Sequence, residues 1–273
     1  MAAGMALLTM TDALSKWLTA GYPVGEILFF RALFMFPIIG LLAARAGGWA
    51  ALRVYRYRDQ VVRAVFVVLS TFLFVTGLTR LPLADTIAIA FAGPLMVTAL
   101  AGPVVGEKVG WRRWLAVLIG FGGVMVMIRP GAGAFTLFAL FPLTGALAGA
   151  LRDLVTRRIS ASESSLAILW FSAVAITGSA ALTMPFGWHL PTAHDLGLLA
   201  LTGLLLGGAN FLLIETFRLA EASLVIPFKY TTMVWAILYG YLIWGDLPDR
   251  WMVVGSVLVV GSGLYVMRRA AKA

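Results

Sequence analysis

The sequence contains no cysteine, so it offers neither a disulfide nor a thiolate metal ligand, and cysteine usage says nothing about its redox compartment. Histidine is nearly as scarce. His189 and His194 both fall in the loop-like segment PFGWHLPTAHD, which leaves the long apolar runs without a Ser-His or Cys-His catalytic pair. No G-x-S-x-G turn and no phosphate-binding P-loop is present, and Gly245-Asp246 lacks the preceding glycine of an intramembrane aspartyl protease. These absences argue against an enzyme and against direct coupling to ATP. His189, His194 and Asp195 on a Pro-containing loop are too sparse to read as a metal centre, and no residue set calls for a cofactor.

Charge is scarce as well. Only 12% of residues are charged against 61% hydrophobic, and the mean hydropathy is +0.95, far above what a water-facing surface permits. The chain therefore reads as an all-α integral membrane protein. Its apolar runs are continuous and lack the period-two alternation of a lipid-facing strand, which sets a β-barrel aside. Ten runs are long enough to be spans, at 2–20, 24–44, 61–79, 84–104, 112–128, 135–156, 165–184, 196–216, 222–243 and 251–267. The first carries Asp12 and Lys16 and has no basic flank, so it reads as a retained helix and not as a signal peptide.

The net charge of +9 is explained by where the cations fall. Threading ten helices puts Arg45, Arg53, Arg56, Arg58, Arg63, Lys108, Arg112, Arg113, Arg152, Arg157, Arg158, Arg218, Arg268, Arg269 and Lys272 on one side. The other side receives Arg80, Arg129 and Arg250. The positive-inside rule then places both termini in the cytoplasm, with the protein in the cytoplasmic (inner) membrane. Cations scattered over short loops beside apolar spans do not make a nucleic-acid surface.

The two halves resemble each other. RLPLADTIAIAFAGPLMVTALAGPVVGE, beginning at Arg80, parallels RLAEASLVIPFKYTTMVWAILYGYLIWGD, beginning at Arg218. Gly106-Glu107 matches Gly245-Asp246 after a one-residue shift, and Asp12 with Lys16 resembles Asp153 with Arg157. Five spans is an odd number, so the second copy enters the membrane inverted, the arrangement secondary transporters use for alternating access. The expected units are 1–130 and 131–273.

Pro94 in the fourth run, Gly106-Glu107 closing it, Gly120, Gly122 and Gly123 in the fifth, and the parallel Pro227, Gly245-Asp246 and Gly261 together resemble the drug/metabolite transporter superfamily, in its ten-helix EamA-type branch. That resemblance covers essentially the whole chain. It implies a carrier with a central cavity between the halves, peripheral fifth and tenth helices, and a small-molecule solute of unspecified identity and direction. The segments PFKYTT and GDLPD resemble those of uptake carriers for large polar metabolites.

Lys229 is the residue around which the site is expected. It lies two positions after Pro227 in an apolar run, where insertion scales put a lysine at roughly 2.5–3.5 kcal/mol unfavourable, so an anionic group is expected to meet it. Its counterpart in the first half is Phe91, so the cation is not part of the symmetric scaffold, an asymmetry that a solute-specific residue or drift would equally give. Thr232 and Met233, followed by Ala236 and Gly240, continue a small or polar face. With Tyr230, Phe91, Pro94 and Pro227, whose prolines free backbone carbonyls, they are the expected solute-binding set. Asp12, Lys16, Glu26, Arg31, Asp153 and Glu215 are the expected gating or coupling residues. Asp12 and Lys16 share a helix face and can neutralise each other, whereas Glu26 and Arg31 are spaced to find partners elsewhere. Gly145 with Gly149 and Gly203 with Gly207 read as close helix packing. The functional expectation is a secondary transporter of a small polar, carboxylate- or phosphate-bearing metabolite, with membrane lipid and a homodimer through the peripheral helices as further partners. A passive channel and a non-transporting scaffold subunit are the rivals, separable by counterflow and by whether a cavity exists.

Overall fold

The computed structural model describes residues 1–105, 110–128, 135–159, 162–219 and 226–270. Gly106-Glu107 and Arg129, which carry part of the expected repeat, lie outside the described residues, as do the side chains of Glu215, Arg218 and Pro227. Helix is the regular structure throughout the described chain. The elements are α1 (Ala2–Leu18), α2 (Val24–Leu33), α3 (Phe36–Arg45), a 3-10 turn (Gly48–Leu52), α4 (Tyr57–Leu78), α5 (Leu83–Ala90), α6 (Ala92–Val105), α7 (Trp111–Ile128), α8 (Phe135–Ile159), α9 (Ser165–Ala181), α10 (Ala193–Leu219), a second 3-10 turn (Ile226–Tyr230), α11 (Thr231–Trp244) and α12 (Arg250–Ala270).

Proline dictates where two of the apolar runs break. A proline ring clashes with the carbonyl four residues before it. For Pro37 that residue is Leu33, the last of α2, and for Pro94 it is Ala90, the last of α5. Pro142 sits inside α8 without ending it. At the other end of the chain, Gly245 adopts φ 74°, and the amides of Gly245 and Asp246 close α11 on the carbonyls of Tyr241 and Gly240.

Six described helical stretches are long and apolar enough to cross a membrane: Val24–Arg45, Tyr57–Leu78, Leu83–Gly102, Trp111–Ile128, Leu137–Ile159 and Ala193–Leu213. The helices α1 and α9, with 17 residues each, and α11, with 14, are shorter. Exposed leucines and valines on these helices, Leu118, Leu204, Leu242 and Val257 among them, would face lipid and not water. The protein is a multi-pass membrane protein.

The helices pack in a defined set of pairs. The longest contacts run α4 along α8, α7 along α12 and α1 along α10. In addition α6 meets α8, α11 meets α1 and α5, and α9 meets α2 and α4, while α2 meets α10. Small residues make this closeness possible, since lipid supplies no hydrophobic drive and backbones must approach for dispersion to hold them. A Cβ on Gly145 would stand 3.3 Å from Ser70 O and Phe74 N of α4, and one on Gly203 would stand 2.6 Å from Phe34 Cβ. Gly207 presses on Ile38 in the same way. Gly149 differs: its nearest neighbour is Arg152 Nη2 at 3.9 Å, because it faces a cavity.

Candidate functional site

A cavity of about 860 Å³ lies between the first five and last five runs. On α6 the wall residues Pro94, Val97, Thr98 and Ala101 recur at helical spacing, and on α8 Ala146, Gly149, Ala150, Asp153 and Arg157 do the same. Ser70, Thr71, Phe74 and Val75 of α4 complete one side. Gly263 and Val266 of α12 lie on another. The lining includes Asp12 of α1 and Arg31 of α2, and also Arg113 and Arg157, at the start of α7 and near the end of α8.

Seven of the expected residues line this one space: Asp12, Arg31, Phe91, Pro94, Asp153, Lys229 and Tyr230. The rings of Phe91 and Tyr230 touch, with centroids 5.2 Å apart, so the break between α5 and α6 meets the 3-10 turn that carries Lys229. The Tyr230 hydroxyl is wedged against Gly263, where a Cβ would collide with it. Lys229 is exposed to the cavity, and among the described residues no carboxylate is recorded in ion-pair contact with it.

The remaining expected residues lie elsewhere or are not described. Thr232 donates to the carbonyl of Lys229 and to Met5 Sδ, and Met233 is buried in the main apolar core with Ala236. The face that begins at Thr232 therefore packs on neighbouring helices, as its small residues allow. Glu26 is buried at the start of α2, where its Oε2 accepts from the His189 amide. Glu215 is on α10 and Pro227 in the second 3-10 turn, their side chains outside the described residues.

The charge pairing differs from the local expectation in three places. Asp12 pairs with Arg31 of α2 at 3.3 Å, while Ser15 Oγ accepts from the same guanidinium; Lys16 donates instead to the carbonyl of Leu81 and lies over the Trp244 ring. Asp12 faces the bundle interior and Lys16 sits in the last turn of α1, so the longer side chain reaches the next loop. Arg152 binds the adjacent Asp153 at 2.8 Å and not a residue one turn away. Arg63, counted above among the loop cations, is buried on α4 and donates to Thr156 and Ser172.

Sequence reasoning missed Arg113 and Arg157 as wall residues by assigning both to a cytoplasmic surface. For Arg157 a signal existed, its match to Lys16 four residues after an aspartate. Arg113 carried none. Among the described residues, five basic and two acidic side chains line the cavity, Arg31, Arg113, Arg152, Arg157 and Lys229 against Asp12 and Asp153. Low-dielectric walls around such a set focus a positive potential into the space they enclose.

Residues 1–129 match the model of the EamA-like transporter family. Over that stretch the chain is similar to members of that family. Along nearly its whole length it is 27% identical to an S-adenosylmethionine uptake transporter of Rickettsia prowazekii, covering 95% of this chain and 88% of that protein. It is 28% identical to a riboflavin transporter of Rhizobium johnstonii, over 97% and 88%. It is 26% identical to the pseudopaline exporter CntI of Pseudomonas aeruginosa, over 95% and 92%. A crystal structure of a protein superposes with a TM-score of 0.69 at 18% identity, covering 99% of this chain and 98% of that one, so the fold is shared across its length.

Proposed function

We propose that this EamA-like protein is a secondary carrier that moves a small anionic metabolite, bearing a carboxylate or phosphate, across the cytoplasmic membrane by alternating access. The observation that carries the reading is the cavity between the halves, with five basic side chains on its wall against two acidic ones among the described residues. Both carboxylates are engaged by arginines, Asp12 by Arg31 and Asp153 by Arg152. A solute anion would supply the counter-charge that no described residue is recorded to give Lys229.

Ten spans in two inverted five-helix repeats form the framework of this carrier. The helix pairs support it, because exchanging the first five spans with the last five carries the longest contacts onto one another or onto themselves. The α4 contact with α8 corresponds to that of α10 with α1, α6 with α8 to α11 with α1, and α4 with α9 to α10 with α2. The pairs α2 with α9, α5 with α11 and α7 with α12 map onto themselves. A pseudo-two-fold of this kind gives two equivalent conformations, each opening the cavity at one end. With both termini cytoplasmic, as the loop cations suggest, the end bearing Arg113 and Arg157 faces the cytoplasm.

Relatives named for S-adenosylmethionine, riboflavin and pseudopaline indicate polar metabolites of substantial size, in either direction. The test is trans-stimulated counterflow in proteoliposomes. Phosphorylated and carboxylated solutes should exchange and cationic amines should not. Uptake insensitive to solute on the far side would make the protein a channel, and inertness toward every anion would sink the carrier reading.

A further inference from the structure

The same dipeptide follows the second span of each half, as Gly48-Trp49 and Gly187-Trp188, and its backbone is bent the same way in both. Gly48 has φ 75° and Gly187 φ 85°, left-handed values that a side chain resists. Each bend throws its tryptophan onto the second helix of the opposite half. Trp49 meets Trp170 of α9 edge-on, with centroids 6.3 Å apart, and Trp188 meets Phe29 and Phe30 of α2 at 5.3 and 6.4 Å.

A carboxylate at the start of the gripped helix then fastens the chain after each tryptophan, one residue past Trp188 and six and seven residues past Trp49. Glu26, third residue of α2, accepts from the amide of His189 at 3.2 Å. Glu163, just before α9, accepts from the amides of Tyr55 and Arg56 at 2.8 and 2.6 Å. Antiparallel packing of α2 on α9 puts the two fastenings at opposite ends of the bundle, since Gly25 abuts Thr183 at one end and Ser164 donates to the carbonyl of Ala51 at the other. Both carboxylates are buried, at 0% and 6% exposure. Each leaves its second oxygen, Glu26 Oε1 or Glu163 Oε2, without a recorded partner among the described residues. A buried acceptor left unmet regains hydration when the contact opens, so these fastenings release more easily than fully satisfied ones.

We propose that Trp188 with Glu26 and Trp49 with Glu163 are reciprocal clasps, by which each half grips the second helix of the other, and that the balance between them sets which end of the cavity is closed. This rests on the carrier reading above. The two clasps are unequal in this conformation. Trp188 is half-buried in its aromatic cluster, whereas Trp49 is 80% exposed and belongs to the clasp beside the end of α8, where Arg157 lines the cavity. In the proposed scheme the tight clasp marks the closed end and the loose one the other. In the opposite conformation their roles exchange.

The absence of native cysteine makes the test direct. Thr98→Cys on the cavity wall is labelled with a membrane-impermeant maleimide in right-side-out and inside-out vesicles, and the ratio of rates reports which end is open. Trp188→Ala or Glu26→Ala should raise labelling from the Trp188 side relative to the other by about threefold or more, and Trp49→Ala or Glu163→Ala should move the ratio the opposite way. Glu26→Gln and Glu163→Gln, whose amide oxygens still accept, should restore the wild-type ratio. Where an alanine variant does not accumulate, Trp188→Leu and Trp49→Leu are read in its place. Ratios that stay fixed, or move in the same direction for both clasps, overturn the proposal. Labelling needs no solute, so the clasps can fail while counterflow succeeds, and the reverse.

Discussion

Arg31 reaches from α2 to the Asp12 carboxylate on α1, and the two side chains form an ion pair only 10% and 12% exposed at the middle of the bundle. Taking two charges out of water is costly, and removing one partner leaves the other buried alone, at a loss of about 3–5 kcal/mol. Asp12→Asn and Arg31→Met should each lower the thermal midpoint in detergent strongly. The double variant should recover much of the loss, because no isolated charge remains. A double-mutant cycle giving no coupling would mean that water or lipid headgroups solvate the pair.

Lys16 was grouped by its sequence position with the gating residues, and its contacts suggest a different readout. Its ammonium is held by the Leu81 carbonyl and the Trp244 ring, which tie the end of α1 to the loop between α4 and α5 and to the end of α11. A charge-assisted hydrogen bond and a cation–π contact together are worth about 2–4 kcal/mol. Lys16→Met should cost stability of that order and leave solute affinity unchanged in a counterflow assay, since Lys16 is not on the cavity wall. A loss of affinity at unchanged stability would move it into the site.

The crossing of α7 and α12 depends on glycine at both partners. A Cβ on Gly255 would come within 2.6 Å of the Gly123 carbonyl and 2.3 Å of Met127 Cγ, and one on Gly123 within 2.8 Å of the Gly255 carbonyl. The methionine can move, but the backbone oxygen cannot. Gly255→Ala should therefore cost about 1–3 kcal/mol by overpacking, and Gly261→Ala, with open space around it, should be near neutral. Thermal unfolding of the two variants side by side checks the contrast.

Much of the architecture was legible because lipid allows few solutions. Continuous apolar runs must be helices, Pro37 and Pro94 mark the carbonyls they displace, and the small pairs at Gly145 and Gly203 mark close crossings. Part of the cavity wall was legible where a rare residue stood out from its run, as at Lys229 and Asp12, and through the repeat match at Phe91. The rest was hidden where residues looked ordinary. Arg113 read as a loop cation, and no local pattern tells a loop cation from one on a cavity wall; for Arg157 the repeat match was the only sign. The partner of Asp12 was likewise out of reach of i, i+4 reasoning, which proposed Lys16. Helix-face geometry admitted that pair, but tertiary packing brought Arg31 from the next helix instead.

Lys229 and Phe91, aligned with each other in the proposed repeat, line one cavity, joined by the contact of Phe91 with Tyr230. This gives a test that separates the charge from its position. A hydrogen bond to a charged group contributes about 1.5–3 kcal/mol, so Lys229→Met should weaken an anionic solute by about ten- to a hundred-fold, and Lys229→Arg much less. Replacing both, with Phe91→Lys and Lys229→Phe, returns the cation to the same cavity across the pseudo-two-fold. If the cavity needs only a positive charge near its aromatic pair, the exchanged protein should recover at least a tenth of the original affinity, measured by competition in counterflow. If the double variant is as weak as Lys229→Met while its thermal midpoint is intact, the second half alone holds the geometry that reads the solute. Unchanged affinity in Lys229→Met itself would remove the lysine from the mechanism.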